Sequence, residues 1–184
     1  MRDELKAIAT AAESEALASS IPDNGGVYFV PAFVGLGAPH WDPDARGSIT
    51  GLTFDATGAH IARAALESVA YQTADLVDAM IADGAHGART IRVDGGMAAN
   101  DWFCQFLADM LGAKVERPAN IETTAAGAAF LAGLAVGIWN KLEDVAASWQ
   151  ADRIFAPTMT TDKRAALKAG WHDALGRTRS RLPA

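Results

Sequence analysis

Two adjacent glycines and an asparagine lie in the segment Val93 to Asn100 (VDGGMAAN), which has the clearest ligand-binding character in the sequence. Glycines at a turn let the backbone approach a flat or charged ligand closely. The N–H groups and the positive end of a following helix favour an anion or the polar edge of a base. An asparagine side chain can also donate to and accept from a purine. The chemistry suits a nucleotide, with Gly95, Gly96 and Asn100 as the candidate binding residues.

The same segment also fits a purely structural interpretation. In that interpretation the two glycines make a tight turn, and Asn100 or Asp101 only caps the next helix. The pattern matches neither the G-x-G-x-x-G dinucleotide fingerprint nor the phosphate loop G-x-x-x-x-G-K-[ST]. Spacing therefore argues against those two classes of site and leaves open whether the turn binds a ligand.

A second polar loop extends from Gly35 to Gly47. Its residues with chemical potential are His40, Trp41, Asp42, Asp44 and Arg46. Asp and Arg in a glycine-rich loop can orient a phosphate or a metal ion, but they more often shape the loop through Asx turns and surface ion pairs. We predict the structural role.

The remaining reactive side chains show no catalytic pattern. The histidines are far apart in sequence, none has a second ligand at i+3 or i+4, and we expect surface positions and no zinc site; they are His40, His60, His86 and His172. Cys104 lies in an apolar stretch and is predicted to be a small core residue. Asp94 and Glu67 are the carboxylates best placed for chemistry. For Glu67, inside a helix, we expect a salt link or solvation.

Hydrophobic periodicity predicts the elements that position these residues. Short strands are predicted over 27–33 and 48–54, on either side of the polar loop. A long helix is predicted over 59–82. Its apolar face is expected to consist of Leu66, Val69, Thr73, Leu76 and Met80. The opening residues also have helical character, without a capping residue before Arg2, as in a chain that starts partway through an element.

The second half of the chain alternates strands and helices. A strand over 90–93 leads through the glycine turn into a helix that Gly112 ends. The apolar side of that helix is predicted to be Phe103, Phe106, Leu107, Met110 and Leu111. The later elements are a strand over 113–117, a helix in TTAAGAAFLAGLAVG whose small residues imply close packing, a helix near 142–149, an extended piece up to Pro157 and a polar helix over 161–179. This order predicts an α/β domain with a mixed sheet.

Length and composition indicate one ordinary globular domain. The 184 residues are 50% apolar and 21% charged, values close to the averages for soluble proteins. Basic residues are scattered and the formal net charge is -6, which argues against a nucleic-acid partner. One cysteine, no apolar window of membrane-spanning length and no signal peptide lead us to expect a cytoplasmic protein. We divide the chain into a remnant of an upstream helix and linker (1–20), the main domain (21–160), and a C-terminal helix with a frayed tail (161–184).

Four long stretches resemble, in the same order, the C-terminal half of the FGGY carbohydrate kinase family. They are VPAFVGLGAPHWDPDARGSITGLT, ALESVAYQTADLVDAM, RVDGGMAANDWFCQFLADMLGAKVERP and TTAAGAAFLAGLAVG. The resemblance covers about residues 27–139, with a looser likeness in FAPTM and AGW. The motif GLGAP-WDP-ARG is more similar to the glycerol kinase branch than to the xylulose or gluconate kinases.

The resemblance implies an actin-like, ribonuclease-H-like ATPase fold, with a mixed sheet flanked by helices. It assigns adenosine to Gly96 and Asn100, with Gly95 beside them, and places the TTAAGAAFLAG helix beneath the nucleotide turn. It implies a full enzyme that phosphorylates glycerol with ATP and Mg²⁺, and that often forms homodimers. The catalytic base, the phosphate turn and the polyol site are expected in an N-terminal kinase domain whose motifs do not occur here, and further nucleotide contacts upstream of Arg2.

Half of a phosphoryl-transfer site should do almost no chemistry, because such catalysis depends on positioning and charge stabilisation across the assembled site. We therefore expect this chain alone to be inactive and to contribute no catalytic residue and no metal ligand. Three alternatives stay open at this point. The chain is a domain of a related FGGY sugar or polyol kinase, a non-catalytic actin-like nucleotide-binding module, or a structural α/β domain whose glycine turn binds nothing.

Overall fold

The computed structural model describes residues 8–87 and 89–180. In chain order, the helices and strands are α1 (Glu13–Ser19), β1 (Tyr28–Val30), β2 (Ser48–Thr50), α2 (Gly58–Ala82), β3 (Thr90–Arg92), α3 (Asp101–Leu111), β4 (Lys114–Pro118), α4 (Thr123–Ala135), α5 (Leu142–Ala147), β5 (Ala151–Phe155) and α6 (Thr161–Thr178). A short 3₁₀ helix, Gly96–Ala99, precedes α3. The predicted elements are present, although both strands beside the polar loop are shorter than predicted.

The strands form two small sheets. β1 and β2 pair antiparallel, with Phe29 opposite Ile49. In the second sheet β4 lies between β3 and β5, parallel to β3 and antiparallel to β5. The predicted mixed pairing is confirmed, and α3 forms the crossover that connects the parallel strands β3 and β4. The five described strands are, however, divided between two sheets.

Helices α2, α3 and α6 enclose the core together with β1 and β4. The ring of Tyr71 stacks on Trp171 at a centroid distance of 5.3 Å and meets Phe106 edge-on at 5.7 Å. The predicted apolar side of α3 is buried, except that Leu111 is half-buried. Gly112 ends this helix in a left-handed conformation (φ 63°), as predicted.

The predicted apolar face of α2 is wrong in its second half. Leu76 and Met80 are exposed. The buried residues are instead Ala62, Arg63, Ala64, Leu66, Glu67, Ser68, Ala70, Tyr71, Ala74 and Asp75. The buried side of this helix carries charged residues that find partners in the fold, and hydrophobic spacing cannot identify these.

The beginning of the chain is less helical than predicted over the part that the structure describes. Residues 8–12 form turns, and α1 starts at Glu13. The part of the predicted helix before residue 8, and the tail after residue 180, lie outside the described residues. No helix in the described part of the chain has the length and apolar character that a membrane crossing requires.

Candidate functional site

The turn after β3 has the backbone that its glycines suggested. Gly95 lies at φ 77°, in the left-handed region that favours glycine. Its N–H donates to the carbonyl oxygen of Ile121 at 2.9 Å, which joins the turn to the segment before α4. A Cβ atom at Gly95 or Gly96 would meet no atom within 4 Å. Gly95 is therefore required by its conformation, and both glycines face open space.

The first turn of α3 is capped by the protein itself. Asn100 is the N-cap, and its Oδ1 accepts the Phe103 N–H at 2.8 Å. The N–H of Trp102, one residue earlier, donates to Oε1 of Glu15 at 3.3 Å. These two N–H groups were expected to attract an anion or a base edge, but they are not free for a ligand, because the two side chains already use them. The Nδ2 amide of Asn100 has no hydrogen bond to any described residue.

A cavity of about 400 Å³ opens beside the turn. One wall comes from the turn, through Gly96, Met97, Ala99 and Asn100. The other comes from α1 and the residues before it, through Ala11, Ala12, Ser14 and Glu15, with Leu66 of α2 between them. The volume lies in the usual range of small-molecule sites. The structure thus brings Gly96 and Asn100 into one concave site, and Gly95 adjoins it.

Glu15 and the other α1 residues were missed by the sequence reasoning. Glu15 lies 87 residues before Trp102, and an Ala-rich helix carries no signal for a binding site. Arg117 was missed in the same way. Its Nη1 donates to the carbonyl oxygen of Ala98 at 3.0 Å and to Asp101 Oδ1 at 2.8 Å, which holds the back of the turn.

Arg63 and Glu67 form a buried ion pair within α2, and Arg63 Nη1 also donates to the carbonyl oxygen of Ala18 in α1 at 3.3 Å. Arg63 Nε donates to Glu67 Oε1 at 2.8 Å, and Arg63 Nη1 donates to the carbonyl oxygen of Ile21 at 2.6 Å. Glu67 Oε2 accepts from Asn24 Nδ2 and from the Tyr71 hydroxyl, both at 2.9 Å. Burial raises the pKa of Glu67, and the Arg63 guanidinium opposes that effect. The expected salt link of Glu67 is confirmed, and it has a structural role.

Cys104 is a buried core residue, as predicted. Its thiol donates to the carbonyl oxygen of Ala98 at 3.3 Å. Burial raises the pKa of the thiol to about 11. A thiol in that state is protonated at neutral pH and is a poor nucleophile.

The polar loop 35–47 is held in shape by its own residues. Asp42 Oδ1 accepts from the Ala45 N–H at 3.0 Å, and Asp42 also accepts from the hydroxyl and the N–H of Ser180, each at 2.7 Å. The hydrogen bond from the Ser180 hydroxyl contributes most to a pKa of Asp42 below its usual value. Arg46 donates to the carbonyl oxygens of Pro43 and Ala45. These contacts support the structural role, although Arg46 uses carbonyl oxygens in place of the expected ion pair.

Two histidines share one carboxylate, which the sequence analysis did not predict, although His172 is exposed as predicted. His40 is half-buried, and its Nε2 lies 3.3 Å from Asp75 Oδ2. His172 Nε2 lies 2.8 Å from Oδ1 of the same carboxylate, and Trp171 Nε1 donates to Asp75 Oδ2 at 2.7 Å. Residues far apart in sequence therefore meet at one buried acid, which joins the polar loop, α2 and α6.

The predicted position of α4 beneath the turn is wrong. Its first residue, Thr123, donates to Asp94, and that exposed carboxylate has no other hydrogen bond to a described residue. Beyond this point the helix is mostly exposed, and only Gly133 is buried. A Cβ at Gly127 would meet nothing within 4 Å. The small residues of α4 therefore do not pack against the turn, because the helix extends away from it after the hydrogen bond between Thr123 and Asp94.

Comparison with known proteins gives this architecture a family. Residues 2–136 match the family model for the C-terminal domain of the FGGY family of carbohydrate kinases. The chain belongs to this family. Solved structures of other members support the same fold: a Plasmodium falciparum glycerol kinase with ADP has a TM-score of 0.87 and 39% identity, and covers 98% of this chain and 36% of its own. A xylulose kinase from Lactobacillus acidophilus has a TM-score of 0.75 and 25% identity over 96% of this chain and 35% of its own.

Several glycerol kinases are similar to this chain over nearly its whole length. The protein of Gluconobacter oxydans is 62% identical over 97% of this chain and 35% of its own length. Glycerol kinase 2 of Thermotoga maritima is 55% identical over 97% of this chain and 36% of its own length. The chain thus spans about 36% of such a relative. The expected FGGY membership and the actin-like, ribonuclease-H-like α/β fold are confirmed.

Proposed function

We propose that this chain is the nucleotide-binding C-terminal domain of an ATP-dependent glycerol kinase. The full-length protein transfers the γ-phosphoryl group of ATP to a hydroxyl of glycerol, which yields glycerol 3-phosphate and ADP. The observation that carries the proposal is the difference in similarity within the family. Among the solved structures, the Plasmodium falciparum glycerol kinase is 39% identical to this chain, whereas the xylulose kinases of Lactobacillus acidophilus and Rhodospirillum rubrum are 25% and 27% identical. In sequence, the glycerol kinase of Gluconobacter oxydans reaches 62% identity over nearly the whole chain.

In this proposal Gly96 and Asn100 bind the adenosine part of the nucleotide, and Gly95 gives the turn its shape. Met97 and Ala99 on one wall, with Ala11 and Ala12 on the other, provide apolar surface for the faces of a base. The Asn100 amide supplies a directional donor at the edge of the cavity. A mostly apolar site with a few placed polar groups is the usual design of small-molecule pockets.

The remaining parts of the reaction belong, in this proposal, to an N-terminal kinase domain of the same protein. That domain contributes the base, the phosphate turn and the glycerol site. Mg²⁺ comes with ATP and is held mainly by phosphate oxygens, since Mg²⁺ is usually bound through phosphates and a few carboxylates. Among the described residues no group of three His, Cys, Asp or Glu side chains is placed to hold a metal ion. A cytoplasmic location and a homodimer complete the proposal.

The exposed apolar side of α4 and α5 supports the presence of such a partner domain. Leu131, Val136, Ile138 and Leu142 are all exposed in this chain. Several large apolar side chains exposed within twelve residues are a common feature of interaction sites. The chain covers only 35% of a related glycerol kinase, so most of such a protein is available to cover it.

Turnover by the full-length gene product tests the proposed activity. We expect ADP release that depends on glycerol, and no turnover from the 184-residue chain alone. D-xylulose and D-gluconate serve as matched acceptors. Turnover with one of these sugars and none with glycerol would overturn the glycerol assignment and leave the kinase family intact.

Nucleotide binding by the chain tests the proposed site. We expect ADP to shift the amide NMR signals of Gly96 and Asn100, with a Kd of about a millimolar, which corresponds to about 4 kcal/mol. Asn100→Asp keeps the capping oxygen and removes the amide donor. Gly96→Val places a side chain in open space beside the cavity.

Both variants should weaken ADP binding at least about tenfold. Asn100→Asp removes a hydrogen bond to the ligand, and Gly96→Val fills space that the ligand needs. Gly127→Val is the control, since it also faces open space and does not line the cavity. If all three variants bind ADP like the original chain, the site lies elsewhere.

A further inference from the structure

The cavity beside the turn has an unusual charge pattern for a site that receives a nucleotide. Of its lining residues in the described parts of the chain, Glu15 is the only charged one. The others are apolar except Ser14 and Asn100. A nucleotide carries several negative charges on its phosphates, and among residues 8–87 and 89–180 no Lys or Arg side chain lines the cavity to receive them. The lining therefore suits the uncharged end of a nucleotide.

The carboxylate of Glu15 has a hydrogen-bonding partner at the start of α3. Its Oε1 accepts the Trp102 N–H at 3.3 Å, and Trp102 lies in the first turn of α3. The N-terminus of a helix normally attracts anions, because its free N–H groups and its dipole carry positive potential. Here Glu15 and the Asn100 side chain already occupy two of those N–H groups. The anion-binding capacity of α3 is thus used by a residue of the protein itself.

We propose that Glu15 determines which end of the nucleotide enters the cavity. Its negative charge repels phosphates from the cavity and from the start of α3, so that adenosine occupies the cavity and the phosphates lie outside it. Glu15 is thus a specificity residue for the orientation of the ligand. This inference rests on the proposed nucleotide site. The glycine turn alone does not determine which end of the nucleotide enters the cavity.

The test compares adenosine with ADP on the 184-residue chain. Glu15→Gln retains an oxygen that accepts the Trp102 N–H and removes the charge. We expect adenosine affinity to change less than about twofold, whereas the affinity for ADP relative to adenosine rises about three- to tenfold at low ionic strength, from Coulomb repulsion across about 8–10 Å of water. The rise should largely vanish at 0.5 M salt, because salt screens such charges. A purely structural role of Glu15 would change both ligands alike.

Two variants separate this effect from others. Glu13→Gln changes the net charge equally on the same helix, outside the cavity, and keeps an acceptor for the Ala9 N–H; it should leave the ratio of ADP to adenosine affinities unchanged. Glu15→Asp keeps the charge and should also keep that ratio.

An unchanged ratio in Glu15→Gln, with adenosine still bound, overturns the inference and leaves the proposed site standing. Equal shifts in the Glu13 and Glu15 variants overturn it as well. If the chain binds neither adenosine nor ADP, the inference and the proposed site both fail.

Discussion

Two sides of this domain differ in how completely their side chains are buried or paired within this chain. On the first, which we call the closed side (α1, α2, α3 and α6), even charged groups are buried and paired: Glu67 is 1% exposed and has three hydrogen-bonding partners. On the second, the open side (α4 and α5), large apolar groups face outward. Leu131 is 68% exposed and Val136 is 75% exposed.

The difference indicates which surfaces are complete. The closed side carries the cavity and the glycine turn, and its contacts come from this chain. On the open side, α4 is as apolar as a buried helix but is exposed like a surface helix. This combination is typical of a helix whose partner lies elsewhere in the protein. Four substitutions test this contrast, from the largest expected effect on stability to the smallest.

Breaking the buried ion pair should have the largest effect. Arg63→Ala leaves Glu67 buried without its cation and leaves the Ile21 carbonyl without a donor. We expect a loss of about 3–5 kcal/mol in the free energy of unfolding, measured by urea denaturation. The double variant Arg63→Met with Glu67→Gln should recover part of the loss, since no unpaired charge stays buried. A cost below about 1 kcal/mol for Arg63→Ala would contradict the closed character of this side.

The thiol of Cys104 provides a pH-dependent measure of the same interior. Its pKa rises from 9.0 to about 11 on folding, so the folded state holds the proton more tightly. The stabilisation from this group is complete below pH 9 and is lost as the pH rises through 11, by at most about 3 kcal/mol. We expect the difference in unfolding free energy between the original chain and Cys104→Ala to shrink over that range. A difference that stays constant from pH 8 to pH 11 would show that the thiol is not desolvated.

The shared acid Asp75 should have an intermediate effect. Asp75→Asn weakens the acceptor for Trp171 Nε1 and presents an amide N–H to it or to His172. We expect a loss of about 1–3 kcal/mol on thermal unfolding, the usual cost of an unsatisfied buried group. Asp78→Asn is the matched control, because Asp78 pairs with Lys168 across the same two helices at the surface. That variant should cost less than about 1 kcal/mol.

The smallest effect is expected on the open side. Leu131→Ala in the 184-residue chain should change the free energy of unfolding by less than about 0.5 kcal/mol, because the side chain is already exposed. Leu107→Ala, at a position that is 3% exposed, should cost about 2–5 kcal/mol. Similar costs for the two leucines would mean that α4 packs against this chain after all. In the full-length protein we expect Leu131→Ala to become more costly, which urea unfolding of that protein would measure.

The sequence by itself determined the elements and the candidate turn. Local rules predicted that Gly112 ends α3 and that a glycine turn joins β3 to it, and the collinear FGGY motifs fixed the family. The end of α3 and the turn depend on neighbouring residues, so that backbone preferences and hydrophobic spacing suffice to predict them, whereas the family came from the resemblance of the motifs. Gly95, Gly96 and Asn100 were identified in the same way.

Only the tertiary structure decided which distant residues meet. Glu15 meets the start of α3 across 87 positions, and Asp75 joins His40 to His172 across the core. It also decided that α2 buries Glu67 and Asp75 while Leu76 and Met80 face outward. A buried charge is tolerated only where partners from other elements surround it, and those partners are set by the packing of the whole chain. The glycine turn was visible in eight residues, whereas the wall opposite it exists only after folding.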